Sequence, residues 1–252
     1  MPGDYFFQQF AIRQLGAVHP MGTDSVLLGA WAPVDGAQRI LDIGAGTGIV
    51  SMMLAQRNQV AVIDAVEIDK ATATCARENI RACPWSERIH VVTSSIQQYH
   101  PTEGLDYDLI VSNPPFFSET SVAPDIRRRL GRHQATLRPG ELIRAVLRLL
   151  TPEGKFCVVL PIKEAVLFQE LALFQRLYVA QENLVYSRLG KQPERMLLCF
   201  ERSPRRFERQ TPLYIYQSEE IYSEAFKDLT DGFYKSFKKN ESSGSLDDSF
   251  FT

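Results

Sequence analysis

Little in this chain points to metal, disulfide or membrane chemistry. Its four cysteines, Cys75, Cys83, Cys157 and Cys199, show no C-x-x-C spacing and have no histidine cluster beside them. That pattern argues against a thiolate metal site or a disulfide frame and reads as reduced core residues. The four histidines, His19, His90, His100 and His133, are equally isolated, so no metal is expected. The first residues carry no basic start followed by an apolar run, and no stretch reaches the roughly 18 apolar residues of a membrane span. A cytoplasmic protein without membrane contact is the expectation. Charge of one sign is scarce too, since 28 Lys and Arg face 30 Asp and Glu for a net −2. No global field draws nucleic acid, so any such partner must be held by local basic patches.

What is present is a core-forming chain with a rhythm. At 252 residues and 44% hydrophobic it can bury one sizeable core. From Arg39 onward, apolar runs, glycine-rich or polar turns and helix-length amphipathic segments alternate. This is the pattern of βαβ units, because strands buried on both faces need apolar runs while crossover helices need one apolar stripe. Strands are expected at Arg39 to Ile43, Val62 to Glu67, Ile89 to Thr93, Leu109 to Ser112, Phe156 to Leu160, Glu182 to Ser187 and Met196 to Glu201. The loop Arg188 to Arg195 is too short for a parallel crossover, so the last two strands should pair antiparallel.

Before this core, Phe6 to Arg13 reads as part of a small hairpin, and Thr23 or Asp24 can cap a helix carrying Val26, Leu27, Ala30 and Trp31. After it, Ser218 to Lys235 reads as an amphipathic helix, and the Ser-, Gly- and acid-rich end as a disordered tail. The expected organisation is an N-terminal hairpin and helix at 1–38, a catalytic domain at 39–236 and a tail at 237–252.

The sharpest local signal is Ile40-Leu41-Asp42-Ile43-Gly44-Ala45-Gly46-Thr47-Gly48, an apolar strand that runs into three alternating glycines and then a helix. Glycine is needed where backbone turns tightly and approaches a ligand. A dinucleotide fingerprint would place glycine three residues after Gly46, and Ile49 stands there, which argues against NAD. G-x-G-x-G after an acidic strand end resembles motif I of the class I methyltransferases. The resemblance implies a Rossmann-like α/β fold and S-adenosylmethionine as cofactor, with Asp42 near its amino group. About twenty residues on, Val66-Glu67-Ile68-Asp69 ends the next strand in acids. A carboxylate there can accept both ribose hydroxyls, so Glu67 is the candidate ribose ligand. Ser95 follows the third strand, where many of these enzymes carry an acid facing the cofactor's adenine; it is a candidate contact or an ordinary turn residue.

The strand Leu109 to Ser112 ends in Asn113-Pro114-Pro115-Phe116. Ligands of open α/β sheets bind beyond the carboxyl ends of strands, so this loop should face the same crevice as the glycine loop. An aromatic amino nitrogen is a poor nucleophile because its lone pair is delocalised into the ring. The Asn113 side-chain oxygen and the Pro114 carbonyl can each accept one of its hydrogens and aim the lone pair. Pro114 and Pro115 restrict the backbone and bring no competing amide donor. Phe116 offers a face for base stacking, worth roughly 1 to 3 kcal/mol.

This pair of motifs resembles the amino-methyltransferases with an N-P-P-[YFW] signature. The segments Phe10-Ala11-Ile12, His19 to Trp31, Gln56-Arg57, Pro84 to Ile89, Ile96-Gln97-Gln98 and Tyr222 to Ala225 are similar to the bacterial valine tRNA adenine-N6 methyltransferase family. The seven strands fit one mostly parallel sheet with an antiparallel final hairpin, and the resemblance implies methylation of the adenine 3′ of the anticodon. It implies that Asn113 to Phe116 receive that base splayed from the tRNA anticodon loop. It also places Thr23 over the cofactor, unless Thr23 is merely a helix cap. Arg127, Arg128, Arg129 and Arg132, with His133, follow the catalytic loop as candidate phosphate contacts, as do Lys191 with Arg188 and Arg195, and then Arg205, Arg206 and Arg209. A monomer is expected.

Three competing readings remain. A protein glutamine methyltransferase would use the same tetrapeptide, but only about 38 residues precede the first core strand, too few for a helical domain that grips a release factor. A DNA adenine methyltransferase usually adds a recognition domain. A non-catalytic cofactor-binding module has no need of an intact Asn-Pro-Pro-Phe.

Overall fold

A computed structural model describes residues 4–14, 22–101, 106–115, 137–219 and 221–234. Twelve strands and six α-helices are found among them. The strands are β1 (Tyr5–Phe6), β2 (Ala11–Ile12), β3 (Arg39–Ile43), β4 (Val62–Glu67), β5 (Ile89–Thr93), β6 (Tyr107–Ser112), β7 (Leu150–Pro161), β8 (Tyr178–Arg188), β9 (Pro193–Glu201), β10 (Glu208–Arg209), β11 (Leu213–Ser218) and β12 (Ile221–Tyr222). The helices are α1 (Thr23–Trp31), α2 (Ile49–Arg57), α3 (Lys70–Arg81), α4 (Pro139–Leu149), α5 (Ile162–Phe174) and α6 (Glu224–Thr230).

β1 and β2 form a separate antiparallel hairpin; the other strands make one ten-stranded sheet in the order β12-β11-β8-β9-β7-β6-β3-β4-β5, with β10 beside β8. All seven strands expected from the sequence are in it. β3 through β7 pair in parallel, and β9 runs antiparallel to both β7 and β8. The three further strands lie beyond β8, with β11 parallel to it and β12 antiparallel to β11. They correct the expectation of one helix over Ser218 to Lys235. Chain pairing claims residues up to Tyr222, and α6 begins only at Glu224, capped by Ser223, whose hydroxyl oxygen accepts the Phe226 amide at 3.0 Å.

Side chains alternate across the sheet into two cores. Ile40, Ile63, Ala65, Leu109, Val111, Cys157 and Cys199 face α1, α2 and α6, where Leu27, Leu28, Met52, Met53 and Phe226 are buried. Leu41, Ile43, Ile110, Phe156, Val158 and Phe200 face α4 and α5, where Phe168 closes an aromatic cluster with Phe156 and Phe200 at centroid distances of 5.7–6.1 Å. Each such fully buried side chain stabilises the fold by about 1.5 to 3 kcal/mol. All four cysteines are buried and unbridged. Cys157 and Cys199 oppose each other across β7 and β9, and burial pushes the Cys157 thiol well above its ordinary value.

The N-terminal hairpin is pinned to both ends of the fold. The Asn79 side chain on α3 exchanges hydrogen bonds with Arg13 backbone atoms at 2.9 and 3.0 Å and also donates to the Thr47 carbonyl in the glycine loop. Gln8 donates to the carbonyls of Asp231 and Tyr234, beyond α6, at 2.8 and 2.6 Å. Among the described residues no helix is long and apolar enough to cross a membrane.

Candidate active site

The glycine loop leaves the carboxyl end of β3, and the Asn-Pro-Pro loop leaves that of β6, the strand beside it. Ile43 is in register with Ser112, and the Ser112 hydroxyl donates to the Ile43 carbonyl at 2.9 Å. Neighbouring strands lie about 4.8 Å apart, so the two loops open side by side. Sheet register brings in β4 and β5 as well, since Ile43 pairs with Val66 and Glu67 with Thr93. Asp42, Glu67, Ser95 and Asn113 therefore share one edge.

Each glycine of the loop has positive φ, at 74°, 57° and 85° for Gly44, Gly46 and Gly48, a region where a side chain costs about 1 kcal/mol or more. Their surroundings divide them. A Cβ on Gly48 would meet Ile80 at 3.1 Å, so this glycine serves packing of α2 against α3. A Cβ on Gly44 would meet nothing within 4 Å, and one on Gly46 only the Gly44 carbonyl at 4.0 Å. These two line open space that a ligand can fill.

The acids at the strand ends have separate tasks. Asp69 caps α3, accepting the Thr72 amide at 2.7 Å. Glu67 accepts the Gly46 amide on Oε2 at 3.0 Å and the Asp69 amide on Oε1 at 2.8 Å, tying the glycine loop to β4. Each oxygen keeps a second lone pair for a hydroxyl donor. Asp42 is buried, and its Oδ2 accepts both the amide and the hydroxyl of Ser51, at 3.1 and 2.6 Å, on the first turn of α2. Burial pushes its carboxyl up to about 6 against the pull of those two bonds, with Glu67 nearby adding to the rise. Ser51 has no spacing that marks it in the sequence.

Asn113 is half-buried and Pro114 buried, while Pro115 is exposed. The Asn113 amide nitrogen donates to the Ser25 hydroxyl on α1 at 2.9 Å. Helix α1 corrects the expected cap: Gly22 holds the N-cap position with no side-chain bond, Thr23 is the first helical residue, and the Asp24 carboxylate is taken by Arg195 at 2.8 Å. Ser95 opens a turn after β5, its carbonyl accepting the amides of Gln98 and Tyr99.

The basic candidates separate by position. Phe116, Arg127, Arg128, Arg129, Arg132 and His133 lie outside the described residues. Lys191 is exposed in the β8–β9 turn, at the same carboxyl edge as Asn113. Arg205 pairs with Glu153 at 2.6 Å and Glu201 at 3.0 Å, at the amino end of the sheet, because Glu201 is in register with Lys155 and Lys155 with Leu109. Arg209 pairs with Glu182 at 3.0 Å.

A family model for the methyltransferase small domain matches residues 22–186. A tRNA1(Val) (adenine(37)-N6)-methyltransferase of Tolumonas auensis is 43% identical over 231 residues, 91% of this chain and 96% of that one. One of Bacteroides fragilis is 44% identical over 195 residues, 77% of this chain and 82% of that one. The chain belongs to the tRNA1(Val) (adenine(37)-N6)-methyltransferase family. Among solved structures, a predicted O-methyltransferase from Agrobacterium tumefaciens matches with a TM-score of 0.65 at 20% identity, over 83% of this chain and 96% of that one. A methyltransferase from Pyrococcus furiosus matches with a TM-score of 0.53 at 19% identity, over 77% and 90%. Those likenesses show the class I methyltransferase fold and no more.

The residues present fit the methyl donor that this family's chemistry requires. Gly44 and Gly46 leave a cradle that side chains would fill, and Glu67 stands beside it with lone pairs suited to vicinal hydroxyls. Among the described residues no group of three or more His, Cys, Asp or Glu side chains converges to hold a metal ion.

Proposed function

We infer that this chain transfers a methyl group from S-adenosylmethionine to N6 of adenine 37 in tRNA1(Val), the substrate named for its relatives. The observation that carries the reading is the Ser112–Ile43 hydrogen bond, which sets the cradle and the Asn-Pro-Pro loop side by side.

S-adenosylmethionine, when bound, supplies a methyl group activated by its sulfonium. The chain's own residues hold and orient. Gly44 and Gly46 admit the ligand to the backbone, Glu67 accepts ribose hydroxyls, and Asp42, Thr23 and Ser95 border the same space, while Gly48 holds the loop's exit against α3. Asn113 Oδ1 and the Pro114 carbonyl accept the two hydrogens of the adenine amine, holding its lone pair out of the ring's conjugation. Positive charge growing on nitrogen meets two oxygen dipoles, and the proton leaves from an already cationic product, so no strong base is needed. Phe116 is assigned as the stacking face for the base. Lys191 is assigned to phosphate, with Arg127, Arg128, Arg129 and Arg132 carrying the same role from the sequence.

The test is incubation with labelled cofactor and unmodified tRNA, duplex DNA or a release factor, followed by nucleoside mass spectrometry. N6-methyladenosine in tRNA is expected; label in the release factor alone would defeat the reading. Asn113→Ala should lower turnover on the order of 100-fold or more with cofactor affinity nearly intact. Equal loss of both would contradict the role given to Asn113.

A further inference from the structure

Asn113 has to offer its acceptor oxygen, not its donor nitrogen, to an incoming amine. A carboxamide turned by 180° about its last torsion keeps its shape but presents two N–H donors, which would oppose the hydrogens of that amine. β6 does not decide between these orientations, because its backbone ends at Ser112 and leaves the amide to its neighbours.

The neighbour is on another element. Nδ2 of Asn113 donates to Ser25 Oγ at 2.9 Å, and Ser25 sits in the first turn of α1. That turn is fastened to the same edge of the sheet at a second point. Asp24, next to Ser25, holds Arg195 at 2.8 Å, with side chains only 17% and 29% exposed, and Arg195 is in register with Pro161 at the end of β7. A pair so shielded is held more firmly than a solvated surface pair. Behind it, Val26, Leu27 and Leu28 are buried against the core, so the Ser25 hydroxyl is placed by helix and sheet together.

We propose that Ser25 is a positioning residue for methyl transfer: its hydroxyl oxygen takes the Asn113 amide hydrogen and so turns Asn113 Oδ1 toward the acceptor amine. The proposal rests on the reading of Asn113 as the residue that receives that amine. Ser25 touches neither reacting atom and acts through Asn113 alone. Its effect belongs to the transfer step, because orientation of the lone pair is realised there and not in substrate docking.

The experiment compares wild type, Ser25→Ala, Ser25→Thr and Asn113→Ala. It uses steady-state methyl transfer to unmodified tRNA, with S-adenosylhomocysteine binding by calorimetry as the check that each variant is folded. Ser25→Ala should lower kcat about tenfold, as the loss of one orienting hydrogen bond to Asn113 would, with KM for tRNA and the S-adenosylhomocysteine Kd within about twofold of wild type. Ser25→Thr keeps the hydroxyl and should return kcat to within about threefold of wild type. If Ser25→Ala is as fast as wild type while Asn113→Ala is inactive, the role of Ser25 is overturned and that of Asn113 stands. A loss that Ser25→Thr does not rescue, or one that falls on KM or Kd, also overturns it. If Asn113→Ala turns over like wild type, the reading of Asn113 fails first and this one with it.

Discussion

Asp42 is next to last on β3 and Glu67 last on β4, both beside the glycine loop, yet the environment gives them different physics. Glu67 is held by two backbone amides at the rim of the cradle, whereas Asp42 lies under the first turn of α2 with Ser51. Burial raises the Asp42 carboxyl to about 6 from 3.8. Between those values the folded chain binds more protons than the unfolded one, so the stability tied to this residue falls as pH rises and is gone above about 6. The whole shift corresponds to about 3 kcal/mol at most. Asp42→Asn should therefore gain on wild type in urea unfolding as pH climbs from 4 to 6, with a constant gap from 6 to 8. A gap that does not change with pH anywhere in that range would mean the carboxyl titrates alike in both states. In the role proposed for it Asn113 is the opposite limit, a side chain that acts through direction, not charge, and its hydrogen-bond partner is 88 residues away in sequence.

At the scale of elements, the parts that read best from sequence are short apolar runs bounded by turn residues, whether buried as in β3 and β4 or half-exposed as in β5 at the edge of the sheet. β3, β4 and β5 keep the bounds that their apolar runs suggest, because turn residues close each run at both ends. β7 and β8 start earlier than their apolar segments. Thr151-Pro152-Glu153-Gly154 looks like a turn, but the β6–β7 pairing shifts register there and carries the strand through it. The helix expected over Ser218 to Lys235 fails for a related reason. Its apolar spacing is real from Glu224 onward, while Tyr216 and Tyr222 stack at 5.0 Å across β11 and β12, a contact between strands that no helical periodicity announces. Ser223 marks the true boundary, accepting the Phe226 amide and donating to the Tyr214 carbonyl. Ser223→Ala should cost about 1 to 2 kcal/mol, read as a lower unfolding midpoint. A midpoint unchanged within error would remove the cap from the account of α6. The candidate site was legible as two motifs because each sits on its own strand end; Ser25, Ser51 and the Asp24–Arg195 pair were not, because only tertiary packing brings them there.

Over the whole molecule, near-neutral net charge makes the position of each cation decisive. Lys191 stands at the edge where Asn113 and the glycine loop open, and Arg205 at the other end of the strands, neutralised by two glutamates. Lys191→Ala should weaken tRNA binding and lower the slope of log K against log salt by about 0.7 to 0.9, as expected when one fewer phosphate is neutralised. Arg205→Ala should leave the slope as it is. Equal slopes for both variants would place the RNA elsewhere.

The clasp between Gln8 and the carbonyls of Asp231 and Tyr234 joins residues 223 and 226 positions apart, and Phe7 meets the ring of Tyr234 at 5.7 Å. During synthesis at about 5 to 20 residues per second, the first hairpin must wait some ten seconds or more for its counterpart. Until then the ribosome carries a chain whose opening segment lacks these contacts, and a chain truncated before Asp231 never acquires them.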